Sequence, residues 1–139
     1  MKLLGFLSGI SCAFGAAFCI KTETTYPDPY LYQTVLRTVE RAVLESGESL
    51  SCGEGSQPMR VSVLEFQDIP VGYSPFQRVN AYTLKLTLLL ETKDMKRAFS
   101  AVTTYSLPDG SRGDLPRRSA LDSLMTIIYP DILNSLIRR

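Results

Sequence analysis

The chain has 139 residues, enough for one domain with its own hydrophobic core, and its formal charge at pH 7 is +1. So small a net charge excludes strong nonspecific attraction to nucleic acid. The absence of histidine removes the usual general base and the commonest zinc ligand, and the three cysteines lack the spacing of a zinc site. We therefore expect no metal, no cofactor and no nucleic-acid partner.

The first 19 residues have the pattern of an export signal. Lys2 is followed by an uncharged, moderately apolar run rich in glycine, alanine and serine, and this run ends at Cys19. Cys19 is the tentative site of a lipid anchor, although Phe18 before it is larger than the small residue expected there. Alternatively, residues 16–22 form a first strand. We divide the chain into a leader segment, residues 1–19, and one domain, residues 20–139.

A helix is predicted over Pro29–Glu45. Its apolar residues recur at helical spacing, Asp28 is placed to cap its first turn, and Gly47 follows its end. Residues 48–58 are rich in glycine and serine and predict a loop, with room for a short strand near Leu50.

Cys52 lies in that loop, and its bonding partner is left open by the sequence. It can form a disulfide with Cys19 if Cys19 is not acylated, bridge to another protein, or remain a free thiol. Because nothing local favours a bridge, a free thiol is the default expectation.

Three strands are predicted after the loop. Residues 59–66 are rich in β-branched side chains, and a slip in their alternation at 63–64 indicates a bulge. Residues 82–90 place a large apolar side chain at every second position, as in a strand with one buried face. A short polar turn at 92–94 leads into the third strand, residues 96–107, which must run antiparallel to its neighbour.

Two stretches are predicted to be irregular. Residues 69–76 contain two prolines and a glycine but also four large apolar side chains, so they form either a loop folded back on the sheet or an exposed apolar tip that inserts into a partner. Residues 108–116 are a loop by composition. Ser119 and Asp122 then resemble a capping box for a C-terminal helix, which Pro130 should kink.

These elements define an α+β fold, with two helices packed on one face of a mainly antiparallel sheet of three to four strands. No phosphate-binding glycine loop, paired-cysteine metal spacing or serine elbow is present in the sequence. The acidic residues of the predicted loops, among them Asp68, are expected to be solvated. We therefore expect a protein that is not an enzyme.

The basic residues carry the more informative polar signal. Arg78 enters the long strand directly after the apolar stretch, while Arg112, Arg117 and Arg118 lie beyond the end of the following strand. Antiparallel pairing brings these positions to one end of the sheet, where gathered arginines can bind phosphate or carboxylate groups bidentately. The alternative is that scattered arginines simply keep a loop-rich end soluble.

The order of these segments resembles the LptE family, the lipopolysaccharide-assembly lipoproteins of Gram-negative outer membranes. The resemblance covers the chain from about residue 25 to the C-terminus, and its motifs are weak singly but occur in the expected order and spacing. They are Tyr26-Pro27-Asp28-Pro29 before the first helix, Val71-Gly72-Tyr73-Ser74 with Arg78-Val79 and Tyr82-Thr83-Leu84-Lys85-Leu86, and Ile132-Leu133-Asn134-Ser135-Leu136-Ile137-Arg138-Arg139 at the end.

The resemblance implies a protein of the periplasmic face of the outer membrane, held there by a lipid anchor or through its partner. It implies that the partner is a large β-barrel protein resembling LptD, in whose lumen the domain acts as plug and assembly factor, and that the domain binds lipopolysaccharide. By position, the lipopolysaccharide-binding residues would be Arg78, Arg117 and Arg118. The partner-contact loop would present Val71, Tyr73 and Phe76.

Two other classes of protein stay open. One is an unrelated small envelope adaptor, such as a pilot lipoprotein for another outer-membrane pore, which would not bind lipopolysaccharide. The other is a small hydrolase, which the absence of histidine makes the least favoured of the three hypotheses.

Overall fold

The computed structural model describes residues 16–73, 79–107 and 114–138. In these ranges the chain forms β1 (Ala17–Glu23), α1 (Pro29–Glu45), β2 (Ser49–Leu50), β3 (Gln57–Tyr73), β4 (Val79–Glu91), β5 (Lys96–Ser106) and α2 (Asp114–Ile137). The expectations for residues 1–15, Phe76, Arg78 and Arg112 lie outside the described residues. Neither of the two described helices is both long and apolar enough to cross a membrane.

The strands form one mixed sheet in the order β2-β1-β3-β4-β5. β1 runs parallel to β2 and β3, whereas β3, β4 and β5 are antiparallel neighbours. The α+β class with two helices is confirmed, but the expectation of three to four mainly antiparallel strands is wrong. β1 is the first strand given as the alternative for residues 16–22, and it includes Ala17–Cys19 of the expected leader segment. It reaches its parallel neighbour β3 through α1, the kind of crossover that parallel pairing requires.

The predicted alternation of β4 is confirmed by burial. Leu84, Leu86, Leu88 and Leu90 are at most 1% exposed, and the residues between them face the other side of the sheet. The helices cover this dry face, with α1 over β1 and α2 over β5. The bounds predicted for α1 are confirmed, as are its Asp28 cap and Gly47, whose φ of 93° suits glycine.

β3 is longer than predicted, so the irregular structure expected for residues 69–73 is wrong. The bulge predicted at 63–64 is confirmed, since pairing with β4 skips Leu64, and a second irregularity skips Val71. β1 pairs with β3 only as far as Ser62, so within the described ranges the rest of β3 lies at an edge of the sheet, where a proline such as Pro70 is tolerated. At Gly72 a Cβ would lie 2.8 Å from Asn80 Oδ1 and 3.0 Å from Ala81 Cβ, so a larger residue there would have to displace the Asn80 side chain.

Helix α2 also differs from its predicted start. It begins at Asp114 rather than after Ser119, so the loop expected over residues 108–116 is too long and the capping box is wrong. Pro116 falls in the first turn, where a missing backbone N–H breaks no helical hydrogen bond. The helix continues through Pro130 to Ile137.

Cys19 and Cys52 form a disulfide, with Cα atoms 4.6 Å apart. Cys19 lies in β1, and Cys52 follows β2, which pairs with β1, so the sheet itself brings the two residues together. The default expectation of a free Cys52 thiol is therefore wrong, and the alternative of a bond to Cys19 is the one observed. A sulfur in a disulfide cannot carry a thioether-linked lipid, so this structure and a lipid anchor on Cys19 exclude one another.

We expect the substitution Cys52→Ser to lower the free energy of unfolding by about 3–4 kcal/mol, because the bond links residues 33 positions apart and restricts the unfolded chain. Urea unfolding followed by circular dichroism measures the change. Cys12→Ser, which leaves the Cys19–Cys52 bond intact, is the matched control. Equal unfolding midpoints for wild type and Cys52→Ser would contradict a stabilising disulfide.

Candidate ligand and partner surface

Arg117, in the first turn of α2, lies at the centre of a half-buried polar cluster. Its Nε donates to both carboxylate oxygens of Asp68, at 3.0 and 3.1 Å, and its Nη1 lies 2.9 Å from Asp28 Oδ2. The guanidinium also lies over the ring of Phe66, with Cζ 4.6 Å from the ring centroid. We call Arg117, Asp28, Asp68, Phe66 and Tyr105 the Arg117 cluster.

Asp28 joins this cluster to the start of α1. Its Oδ1 accepts from the backbone N–H groups of Tyr30 and Leu31, at 3.1 and 3.2 Å, and its Oδ2 is the atom bonded to Arg117. One carboxylate therefore caps α1 and holds the first turn of α2 beside it. Local sequence was enough to predict Asp28 as the cap of α1. Its other partner, Arg117, lies 89 positions farther along the chain.

Tyr105 on β5 completes the cluster by donating its hydroxyl hydrogen to Asp68 Oδ1. Burial, and then this bond to a carboxylate, raise the pKa of Tyr105 well above its usual range. Burial alone would lower the pKa of the Arg117 guanidinium. The hydrogen bonds and charges of Asp28 and Asp68 have the larger combined effect and raise this pKa. The cluster thus ties α2 to α1, β3 and β5.

The charge balance of the cluster bears on the predicted role of Arg117. One guanidinium faces two carboxylates, so the cluster is not a net positive site, and its donors already have acceptors. An incoming phosphate would have to displace a carboxylate. The geometry favours a positioning role for Arg117 over direct contact with an anionic ligand.

Arg118 is adjacent to Arg117 in sequence but is exposed. Its Cζ lies 5.0 Å from the ring centroid of Tyr30, and the structure gives it no ion pair with another described residue. The two arginines border a cleft of about 390 Å³, which Tyr26, Pro27 and Leu121 also line. Arg118 is therefore the predicted ligand-binding arginine that is available at this cleft.

The far end of β3 exposes large apolar side chains. Val71 is 54% exposed and Tyr73 64%, and Ile69 before them is 41% exposed. Val71 and Tyr73 are the predicted partner-contact residues within the described part of the chain. We call Ile69, Val71 and Tyr73 the hairpin tip.

Strand register relates the hairpin tip to the start of α2. Ala81, near the start of β4, pairs with Ser106, the last residue of β5, and Val79 pairs with Tyr73. The hairpin tip and the connection from β5 to α2 therefore lie at the same end of the sheet.

Asp68 is the member of the cluster whose role the sequence did not reveal. It was expected to be a solvated loop residue, but it lies on β3 and accepts hydrogen bonds from both Arg117 and Tyr105. An acidic residue between Phe66 and Pro70 carries no local sign of partners 37 and 49 positions away. Only the strand pairing brings these partners together.

The fold is similar to two solved structures of bacterial lipoproteins. The first is a proposed lipoprotein from Caulobacter crescentus CB15, with a TM-score of 0.57, 14% identity and coverage of 86% of this chain and 88% of that one. The second is a minor lipoprotein from Acinetobacter baumannii, with a TM-score of 0.53, 14% identity and coverage of 88% and 92%. At this identity the likeness defines a shared α+β fold.

A closer likeness in sequence is to an uncharacterized protein of Aquifex aeolicus (strain VF5). The two are 36% identical over 126 residues, which cover 90% of this chain and 87% of that protein. This chain belongs to the same family as the Aquifex protein. No family model matches the chain.

Asp68→Asn should lower the pKa of Tyr105 towards the ordinary tyrosine value, because it removes the carboxylate that favours the neutral phenol. NMR titration of tyrosine ring carbons measures this shift. Because the folded-state pKa of Tyr105 is raised, the stability of wild type should fall as the pH rises above about 10, where the unfolded tyrosine ionises. Asp68→Asn should weaken that dependence.

Asp122→Asn is the matched control, since Asp122 accepts from the hydroxyl of Tyr30 at 2.8 Å in the same way. It should alter the titration of Tyr30 and leave that of Tyr105 unchanged. A Tyr105 pKa that is the same in wild type and Asp68→Asn would contradict the hydrogen bond.

Proposed function

We propose that this protein is an outer-membrane lipopolysaccharide-assembly protein, a binding protein rather than an enzyme. It would bind lipopolysaccharide and serve as plug and assembly factor for a large β-barrel translocon resembling LptD. The observation that carries the proposal is the hairpin tip, whose exposed apolar side chains lie at the same end of the sheet as the arginines at the start of α2.

The hairpin tip suits a protein partner because its exposure serves no purpose within the domain. Ile69, Val71 and Tyr73 are between 41% and 64% exposed, and contiguous apolar surface of this kind marks interaction sites. No strand among the described residues pairs with the outer edge of β3 beyond Ser62, so the backbone groups on that edge are also available to another chain.

Lipopolysaccharide would be bound through its phosphate groups. Guanidinium groups bind phosphate bidentately and would compete for phosphates that divalent cations otherwise bridge. Under this proposal Arg118 and Arg78 contact the ligand. Arg117, which is engaged by Asp28 and Asp68, holds the start of α2 in place.

The proposed compartment is the periplasmic face of the outer membrane. Disulfides such as Cys19–Cys52 are typical of oxidising compartments, among them the bacterial periplasm, and the fold is shared with lipoproteins. Since Cys19 is bonded to Cys52, an acyl anchor would fall on Cys12, which follows the small residue Ser11. Attachment through the barrel partner is the other route.

The substitution Val71→Asp should abolish copurification of a large β-barrel protein with this chain from detergent-solubilised outer membranes. A charge in the apolar contact would be desolvated on binding, whereas in the free domain it stays in water. Val102→Asp is the matched control, because Val102 on β5 is 55% exposed and Val71 is 54% exposed. It should leave copurification intact.

Recovery of wild type only as a soluble monomer, or equal loss with both substitutions, would count against the proposal. Capture of a different pore protein, with no lipopolysaccharide binding and no effect of Arg118→Ala, would favour the unrelated envelope adaptor instead. Mass spectrometry of the mature N-terminus separates an acylated Cys12 from attachment through the partner.

A further inference from the structure

A groove of about 560 Å³ runs between α1 and α2. The helices run parallel there, since Tyr30 near the start of α1 bonds to Asp122, while Arg41 farther along α1 lies over Tyr129 farther along α2. Tyr30 and Arg41 are eleven positions apart, which corresponds to about 16 Å along the helix axis. The groove can therefore hold an elongated ligand.

Three arginines line this groove. Arg37 and Arg41 are one helical turn apart on α1, and Arg118 comes from the start of α2. The structure gives Arg37 and Arg118 no ion pair with another described residue. Arg41 pairs with Glu45 at 3.1 Å, but both side chains are more than half exposed, so water screens the pair and it is weak.

Tyrosine rings hold two of these guanidinium groups at opposite ends of the groove. Arg41 Cζ lies 3.9 Å from the ring centroid of Tyr129, and Arg118 Cζ lies 5.0 Å from that of Tyr30. Stacking on a ring orients the guanidinium plane while leaving its edge N–H groups free to bind a phosphate bidentately. The arrangement thus reduces the entropy that two of the three arginines would lose on binding an anion.

The remaining lining is typical of a site for hydroxyl groups. Asp122 holds the Tyr30 hydroxyl through both oxygens, at 2.8 and 2.9 Å, and its remaining lone pairs can accept from a ligand hydroxyl. Gln33 and Thr34 also line the groove. A carboxylate disfavours a bare anion but suits a ligand that carries hydroxyl donors beside its negative charge.

We propose that this groove binds a phosphorylated saccharide, with Arg37 and Arg41, one helical turn apart, holding the phosphate and Asp122 and Gln33 receiving the sugar. This site is separate from the hairpin tip and does not depend on the proposed translocon partner. Arg37, in the middle of the groove, contributes charge without supporting the fold, because its side chain is exposed and has no ion pair within the described ranges.

Isothermal titration calorimetry with trehalose 6-phosphate, trehalose and inorganic phosphate tests the proposal. Wild type should bind trehalose 6-phosphate saturably and more tightly than the other two probes. Arg37→Gln should weaken this binding about tenfold, as expected for the loss of one charge-assisted hydrogen bond. Arg97→Gln, an equal charge change at an exposed position at the start of β5, should leave it unchanged.

Three results would overturn the proposal. They are the absence of saturable binding, equal affinity in wild type and Arg37→Gln, and inorganic phosphate binding as tightly as the sugar phosphate, which would indicate a site for the free anion. Binding only to phosphatidylcholine vesicles that contain phosphatidylglycerol would indicate a lipid-headgroup surface and would also overturn it. Val71→Asp should not change sugar-phosphate binding, so this site and the translocon proposal fail separately.

Discussion

The burial of alternate leucines on β4 is the constraint on which the rest of the fold depends. Leu84, Leu86, Leu88 and Leu90 are at most 1% exposed, and each contributes about 1.5–3 kcal/mol through removal from water. β4 lies between β3 and β5, and its dry face fixes the side of the sheet on which the helices pack, with α2 over β4 and β5 and α1 over β1. The helix surfaces and the hairpin tip are what this packing leaves free for ligands and partners.

Electrostatics divides the arginines into two groups with different roles. Arg117 donates to Asp28 and Asp68 and so links the starts of both helices to the sheet. Arg118 and Arg37 have no such carboxylate within the described ranges and face solvent. Arginines close together in the sequence, such as Arg117 and Arg118, can therefore differ entirely in function, because the partners that decide the difference come from distant strands.

Much of the fold could be predicted because its periodic segments are long. The bounds of α1 and the buried face of β4 follow from spacing alone, and the bulge near Leu64 follows from a break in that spacing. The misses in the sheet have one physical cause, which is dependence on partners far along the chain. Pro70 and Gly72 are typical of loops, and only the position of this part of β3 at an edge of the described sheet explains them within a strand. The Cys19–Cys52 bond depends on the parallel pairing of β1 with β2. For α2, Pro116 was the local signal of the true start, and the Ser119–Asp122 pattern obscured it.

Site-specific photo-crosslinking in cells tests most directly the claim that the hairpin tip faces a barrel partner. A benzoylphenylalanine at Tyr73, 64% exposed at the end of β3, should form an adduct with a large outer-membrane β-barrel protein. The same group at Tyr32, 38% exposed on α1, should give little or none. No adduct at position 73, or equal adducts at both positions, would contradict the account.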